Sequence, residues 1–282
     1  MPLNPASVGQ KTRPVEVSWT SKDTLLYAVG VGAGLGAPAH ELAYTTENSN
    51  DLTQRALPTF AVVLNDDGPQ VDIGTYDESQ LVHAEQGLVL HTSLPPAGTV
   101  RVATTVTGIH DKGSGGLVAY QTDAVDPADG SPVFTTHSTM FIRGEGGFGG
   151  ERGPVDEWTR PSTPPDAVVT YATRPEQALL YRLSGDRNPL HSDPHFAARA
   201  GFDRPILHGL CTYGVAGRAL LEHVADNDVA RFGAMRSRFT APVYPGDSLS
   251  VALWRTAEGA SFQVFRDGGE LVIDRGRFTL RS

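Results

Sequence analysis

Two stretches of this sequence echo each other from opposite halves of the chain. "LVLHTSLPPAGTVRVATTV" begins at residue 88 and "RSRFTAPVYPGDSLSVALW" at residue 236, and each reads as an extended run, a Pro, a Gly and another strand. An offset of about 150 residues is far too long for a solenoid or propeller repeat and suits a duplicated domain. Between them lies "RGEGGFGGERGPVDEWTRPSTPP" (143–165), whose Gly and Pro content is that of a connection rather than of a helix or strand. The sequence therefore divides into a domain over 1–150 and a second over 151–282.

Each half carries the same kinds of element. Before the connection, "GTVRVATTVTGI", "GGLVAYQTDAV" and "PVFTTHSTMFIR" are short, rich in Val and Thr, and bounded by Gly, Asp and Pro, as strands are. After it, "DAVVTYAT", "MRSRFTAPV", "DSLSVALWRTA", "SFQVFRDG" and "ELVIDRGRFTL" read the same way. One long helix is expected ahead of the main strands in each half. The first lies near "SKDTLLYAVGVGAG", with Asp23 available to cap it, and the second is "HGLCTYGVAGRALLEHVA". A helix and then a run of antiparallel strands, twice over, predicts an α+β fold in which each helix lies against a curved sheet.

Composition removes several functions. The 282 residues include 39% hydrophobic side chains and carry a formal net charge of -9, with no block of Lys or Arg to neutralise phosphates, so nucleic acid is not an expected partner. Cys211 is the sole cysteine, which excludes an intrachain disulfide and a multi-cysteine metal site. No apolar run reaches the roughly 18 residues of a membrane span. The N-terminal stretch lacks the apolar core of a signal peptide, and the terminal "TLRS" is not a peroxisomal address, so a cytoplasmic location is expected.

Three motifs hold candidate chemistry. "GVGAGLGA" (30–37) fits a dinucleotide pattern at Gly32, Gly34 and Ala37, but that pattern needs a strand before it and a helix after it. Here a helix precedes, so the glycines are read as its end, and no nicotinamide cofactor is expected. "HSDPH" offers His191, Asp193 and His195 as metal ligands. Pro194 interrupts any helical ligand spacing, and Asp193 reads better as an N-cap, so no metal is expected either. The third motif, "YRLSGDRNPLHSD" (181–193), sets Asp186 and His191 in a stretch of turn formers and on its own is an ordinary polar turn. "HGL" (208–210) changes its weight, because it opens the second long helix, where backbone N–H groups are unpaired and the helix dipole is positive. Gly209 lets a ligand approach that backbone without meeting a Cβ. If the 186–191 loop folds over this helix start, acid–base groups and an oxyanion donor face one point. That is the arrangement needed to add water across a double bond conjugated to a carbonyl.

The stretch "YRLSGDRNPLHSDPHFAARAGFDRPILHGLCTYGVAGRALL" closely resembles the hydratase 2 motif of the MaoC-like (R)-specific enoyl-CoA hydratases. In the first half, "YAVGVGAG", "LPTFAVVL", "HAEQGLVLH", "DKGSGGLV" and "GGFGG" resemble the two-domain version found in the hydratase unit of peroxisomal multifunctional enzyme type 2. The resemblance implies a double hot-dog fold, with two hot-dog domains side by side in one chain, and a homodimer of such chains. It implies reversible addition of water to a trans-2-enoyl-CoA, giving the (R)-3-hydroxyacyl-CoA, with no metal or redox cofactor. By position, Asp186 and His191 are the catalytic pair and Gly209 donates its N–H to the thioester oxygen. Arg187, Asn188, Pro189 and Leu190 in the same loop, with His83, Ala84, Lys112 and Phe239, match substrate-binding positions. Where a related sequence carries Gly, this chain has Ala84, whose methyl group is expected to narrow the pocket, and chain-length preference stays open. The first half lacks the Ser-Gly-Asp-x-Asn-Pro-x-His element and is expected to be a silent copy that helps hold the acyl chain. A dehydratase acting on a carrier-protein thioester in fatty-acid or polyketide synthesis shares this chemistry in reverse. A noncatalytic acyl-CoA-binding module would share the fold without the acid–base pair.

Overall fold

A computed structural model describes residues 3–64 and 71–281. The first half supplies β1 (Val15–Trp19), β2 (Leu81–Leu90), β3 (Gly98–Asp111), β4 (Gly115–Val125) and β5 (Pro132–Arg143). The second supplies β6 (Ala167–Ala172), β7 (Phe232–Phe239), β8 (Ser248–Thr256), β9 (Gly259–Arg266) and β10 (Glu270–Leu280). All join one 10-stranded sheet in the order β1-β3-β4-β5-β2-β7-β10-β9-β8-β6. Read outward from the centre, each half repeats the same strand sequence. The second strand of each meets its counterpart at a seam, where Gln86 faces Ser237 and Leu88 faces Met235 in an antiparallel ladder. This is a double hot-dog, and the duplication read from the sequence is the fold's own pseudo-twofold symmetry.

Among the described residues, five α-helices accompany the sheet: α1 (Ser21–Gly30), α2 (Leu42–Thr45), α3 (Gln177–Tyr181), α4 (Pro194–Arg199) and α5 (Gly209–His223). The helix expected near residue 21 starts at Ser21, with Thr20 outside it and the Asp23 carboxylate accepting the Thr20 N–H at 2.7 Å. It is shorter than expected. The chain turns left-handed at Gly32 (φ 82°) and Gly34 (φ 73°), so the glycine run ends α1 as the sequence reading required. None of the described helices is long and apolar enough to cross a membrane.

The core lies between the sheet and α5, whose residues from Cys211 to Leu221 are all buried. A helix apolar all round must be covered all round. The first half provides the second cover: a Cβ on Gly214 would come 2.5 Å from the Val31 side chain, and one on Gly217 would come 2.5 Å from that of Thr59. Arg218 is the charged exception among those buried positions. Its Nε donates to Glu41 Oε1 at 2.8 Å and its Nη1 to the Val31 carbonyl at 3.0 Å, so the cation is fully paired across the two halves. With Arg218 only 6% exposed, Glu41→Ala should strand a buried charge and lower stability by about 3 kcal/mol in urea unfolding. A midpoint within error of the parent would show that water reaches Arg218 and that the pair holds nothing.

The connection at 143–165 forms no helix or strand of its own between β5 and β6. It is nonetheless fastened. The Asp111 carboxylate accepts N–H groups from Gly113, Gly147 and Gly149 at 2.8, 2.9 and 2.7 Å, and those backbone bonds hold its pKa below the usual carboxylate range.

Candidate active site

The loop after α3 is built to make a tight corner. Gly185 sits at φ 134°, a conformation that L side chains rarely adopt, and the chain turns there into Asp186. Asp186 Oδ1 then accepts the Asn188 N–H at 3.1 Å, and Asn188 Oδ1 accepts the Leu190 N–H at 2.9 Å. Two successive side-chain caps thus fold 186–191 into a compact turn ending on His191. Beyond it, Asp193 Oδ1 accepts the His195 and Phe196 N–H groups at 2.7 and 3.3 Å and starts α4 with Pro194 in the first turn.

The corner folds against the start of α5. One nitrogen or oxygen each from Asp186, His191 and His208 lie within 4.8 Å of one another. His191 donates Nδ1–H to the Ile206 carbonyl at 2.9 Å, which leaves its Nε2 with a free lone pair. Burial holds the His191 pKa below its ordinary value, with the Asp186 charge opposing, so the resting imidazole is neutral. Asp186 Oδ2 accepts no hydrogen bond from the described residues, and Asp186 lines the same cavity as His191. The N–H of Gly209, first residue of α5, likewise bonds to no described residue. A base, a carboxylate and a helix N-terminus therefore meet at one cavity of about 350 Å³.

Both halves wall that cavity. The second contributes Asp186, Asn188, Leu190, His191, Gly209 and Phe239 among others, and the first contributes Leu81, Val82, His83, Met140 and Arg143. His83 donates Nε2–H to the Glu85 carbonyl at 3.0 Å and meets the Phe239 ring edge-on at 5.1 Å between centroids. Desolvation pulls its pKa down to about 4, so it faces the acid–base pair as a neutral group. The Phe239 ring in turn lies over Gly209, where a Cβ would approach it to 3.3 Å.

Not every position matched by resemblance reaches this cavity. Ala84 is the extra residue of a β-bulge, since the β2–β5 register passes from His83↔Met140 directly to Glu85↔Thr139. The bulge aims His83 inward, and Ala84 is absent from the wall. Lys112 sits at the turn after β3, where its Nζ donates to the Arg152 carbonyl, also outside the wall. Arg187 and Pro189 are exposed between wall residues. His195 is exposed on α4 and takes no part.

His208 was not singled out by the sequence as a site residue, although a His within the apolar run "PILHGL" was the available sign. It is fully buried, and its ring stacks on His191 with centroids 3.7 Å apart and planes 28° from parallel. That stacking bears on a metal reading of Asp186, His191 and His208. Imidazole lone pairs lie in the ring planes, so two stacked rings cannot both point at one ion about 2.0–2.1 Å away. The arrangement suits proton handling rather than chelation.

Comparisons with known proteins agree with this architecture. The description "MFE-2 hydratase 2 N-terminal domain" matches residues 17–144, and "MaoC like domain" matches residues 157–273. The chain is 48% identical to 3-hydroxyacyl-thioester dehydratase Y of Mycobacterium tuberculosis, covering 98% of each chain. Among solved structures, a MaoC-like dehydratase from Phytophthora capsici superposes with a TM-score of 0.88 at 31% identity, over 99% of this chain and 98% of that one. The full-length peroxisomal multifunctional enzyme type 2 of Drosophila melanogaster gives 0.81 at 37% identity, over 95% of this chain and 48% of that one. Fold and site thus define a double hot-dog hydro-lyase. The chain belongs to the MaoC-like hydratase 2 family, in the two-domain form that carries the MFE-2 hydratase N-terminal domain.

Proposed function

We propose that the chain adds water reversibly to a trans-2-enoyl-CoA and gives the (R)-3-hydroxyacyl-CoA, with Asp186 and His191 as its acid–base pair. The observation that carries this reading is the free Gly209 N–H at the mouth of the α5 dipole, facing the same cavity as the pair. A thioester oxygen bound there gains negative charge, which makes C3 electrophilic. A water held by Asp186 Oδ2 and the His191 lone pair is aimed at C3. As its oxygen bonds to C3, one water proton passes to the pair. Because Nδ1–H is committed to Ile206, the pair returns a proton to C2 through His191 Nε2. Both new bonds form from one loop on one face of the substrate, so addition is syn. The same steps run backward dehydrate a 3-hydroxyacyl thioester, in line with the name of the mycobacterial relative.

The assay is turnover of crotonyl-CoA and longer enoyl-CoAs with chiral analysis of the product. The (R)-alcohol is expected, and an (S)-product or no turnover would sink the reading. In this reading the first half keeps no acid–base pair and acts as one wall of the acyl pocket. Filling that wall by Leu81→Trp or Met140→Trp should lower kcat/KM on a ten-carbon substrate by about tenfold or more. Four-carbon turnover should stay within about threefold, because those contacts act on the tail rather than on the thioester. A chain-length profile unmoved by both would make the first half a structural partner only.

A further inference from the structure

We propose that His208 is a positioning residue that holds the Asp186 loop in register with the first N–H of α5, an inference that rests on Asp186 and His191 being the reacting pair. His208 immediately precedes Gly209, and its carbonyl accepts the Cys211 and Thr212 N–H groups at 3.1 and 3.3 Å. Its backbone is therefore part of the helix start. Its side chain reaches the other way and donates Nε2–H to the Asp186 carbonyl at 3.2 Å. Its ring stacks on His191 and also meets Tyr181 at 4.9 Å between centroids, tilted by 52°. A single residue thus joins the oxyanion donor to both members of the pair.

The choice of imidazole has a cost that points to this role. Nδ1 of His208 is buried and has no hydrogen-bond partner among the described residues. An unpaired buried acceptor is destabilising, and a Phe of similar shape would avoid it while keeping the stack. What Phe cannot supply is the donor to Asp186. Nor is His208 placed to act as an acid or base. Burial first, and then the nearby His191 and Arg182, hold its pKa down to about 2, so the ring stays neutral with its proton on Nε2. Its contribution is geometric: a displacement of about 1 Å between water-holding groups and oxyanion donor costs roughly a hundredfold in rate.

Two substitutions in the full chain separate ring from donor. His208→Phe keeps the ring and removes the donor, while His208→Gln keeps an N–H at the same bond distance from Cβ. His208→Phe should lower kcat on crotonyl-CoA by about tenfold to a hundredfold, with KM within about threefold. His208→Gln should recover turnover to within about fivefold of the parent. A His208→Phe enzyme with parental kcat, or a His208→Gln enzyme as impaired as His208→Phe, overturns the proposal. Should His208→Phe fail to fold, nitrogen NMR of the unaltered enzyme decides. A neutral ring protonated at Nε2 throughout the neutral range supports it, and an Nδ1–H ring or one titrating like a free histidine overturns it. Asp186→Asn and His191→Ala are measured alongside. Full turnover in those variants overturns the reading of the pair and this inference with it, whereas their loss beside a normal His208→Phe overturns this inference alone.

Discussion

Asp186→Asn and His191→Ala should each lower kcat by at least about a hundredfold while leaving the fold intact, the usual contribution of a positioned acid–base group. The structure makes Asp186→Asn a clean change. Asn retains an oxygen able to accept the Asn188 N–H, so the corner that Asp186 now holds at 3.1 Å survives. What disappears is the negative charge that the proposed pair needs to take up a water proton. His191→Ala removes the free Nε2 and also the bond to Ile206, so a modest loss of stability accompanies the loss of rate. On the proposed mechanism both groups act at the reacting carbons rather than on the acyl chain, so KM should change little in either case. Steady-state kinetics with circular dichroism on the same samples tests both. A folded variant with near-parental kcat would remove its residue from the mechanism.

Gly209→Pro should lower kcat by about 10²–10³, the measured scale for losing one oxyanion donor. A backbone N–H can be deleted only by proline, and this position tolerates one. Gly209 is the first residue of α5, where a missing N–H breaks no intrahelical bond, and His208 before it lies at φ -57° and ψ 133°, a conformation compatible with a following Pro. The ring would press on Phe239, which already lies 3.3 Å from where a Cβ would sit. Gly209→Ala controls for that contact, because it adds the Cβ and keeps the N–H. A much larger kcat loss for Pro than for Ala assigns the donor. Equal losses would mean that crowding at Phe239, and not the N–H, accounts for both.

Much of the sheet was legible because its strands carry their own boundaries. "GGLVAYQTDAV", "PVFTTHSTMFIR" and "ELVIDRGRFTL" coincide with β4, β5 and β10, each closed off by Gly, Asp, Pro or charged residues. β7 was less clear. "MRSRFTAPV" suggested a strand running to Val243, but β7 is Phe232–Phe239, and residues 240–243 leave the sheet to line the cavity. Pro242 lies in that departing segment, where no ladder bond is required of it. β1 escaped notice because five residues at a sheet edge owe their conformation to pairing with β3 more than to composition. The Asp186–His191 turn and the α5 N-terminus were visible as motifs, since each is local in sequence. His83 was reached only through the family resemblance, and Met140 not at all. Both come from a different domain, and the β2–β7 seam brings them to the cavity that Phe239 and Gly209 also line.

That seam also separates this chain from a hot-dog pair assembled from two identical subunits. In a symmetric pair, every substitution appears on both sides of the twofold axis, so a change that reshapes a binding wall also alters the partner's reacting loop. Here the two walls are encoded once each. A residue in β2 or β5 can be altered without touching its counterpart in β7 or β10. The covalent link through 143–165 also makes their association intramolecular, so the completed site does not come apart on dilution. On the proposed division of roles, substrate range can drift in the first half while the chemistry stays fixed in the second.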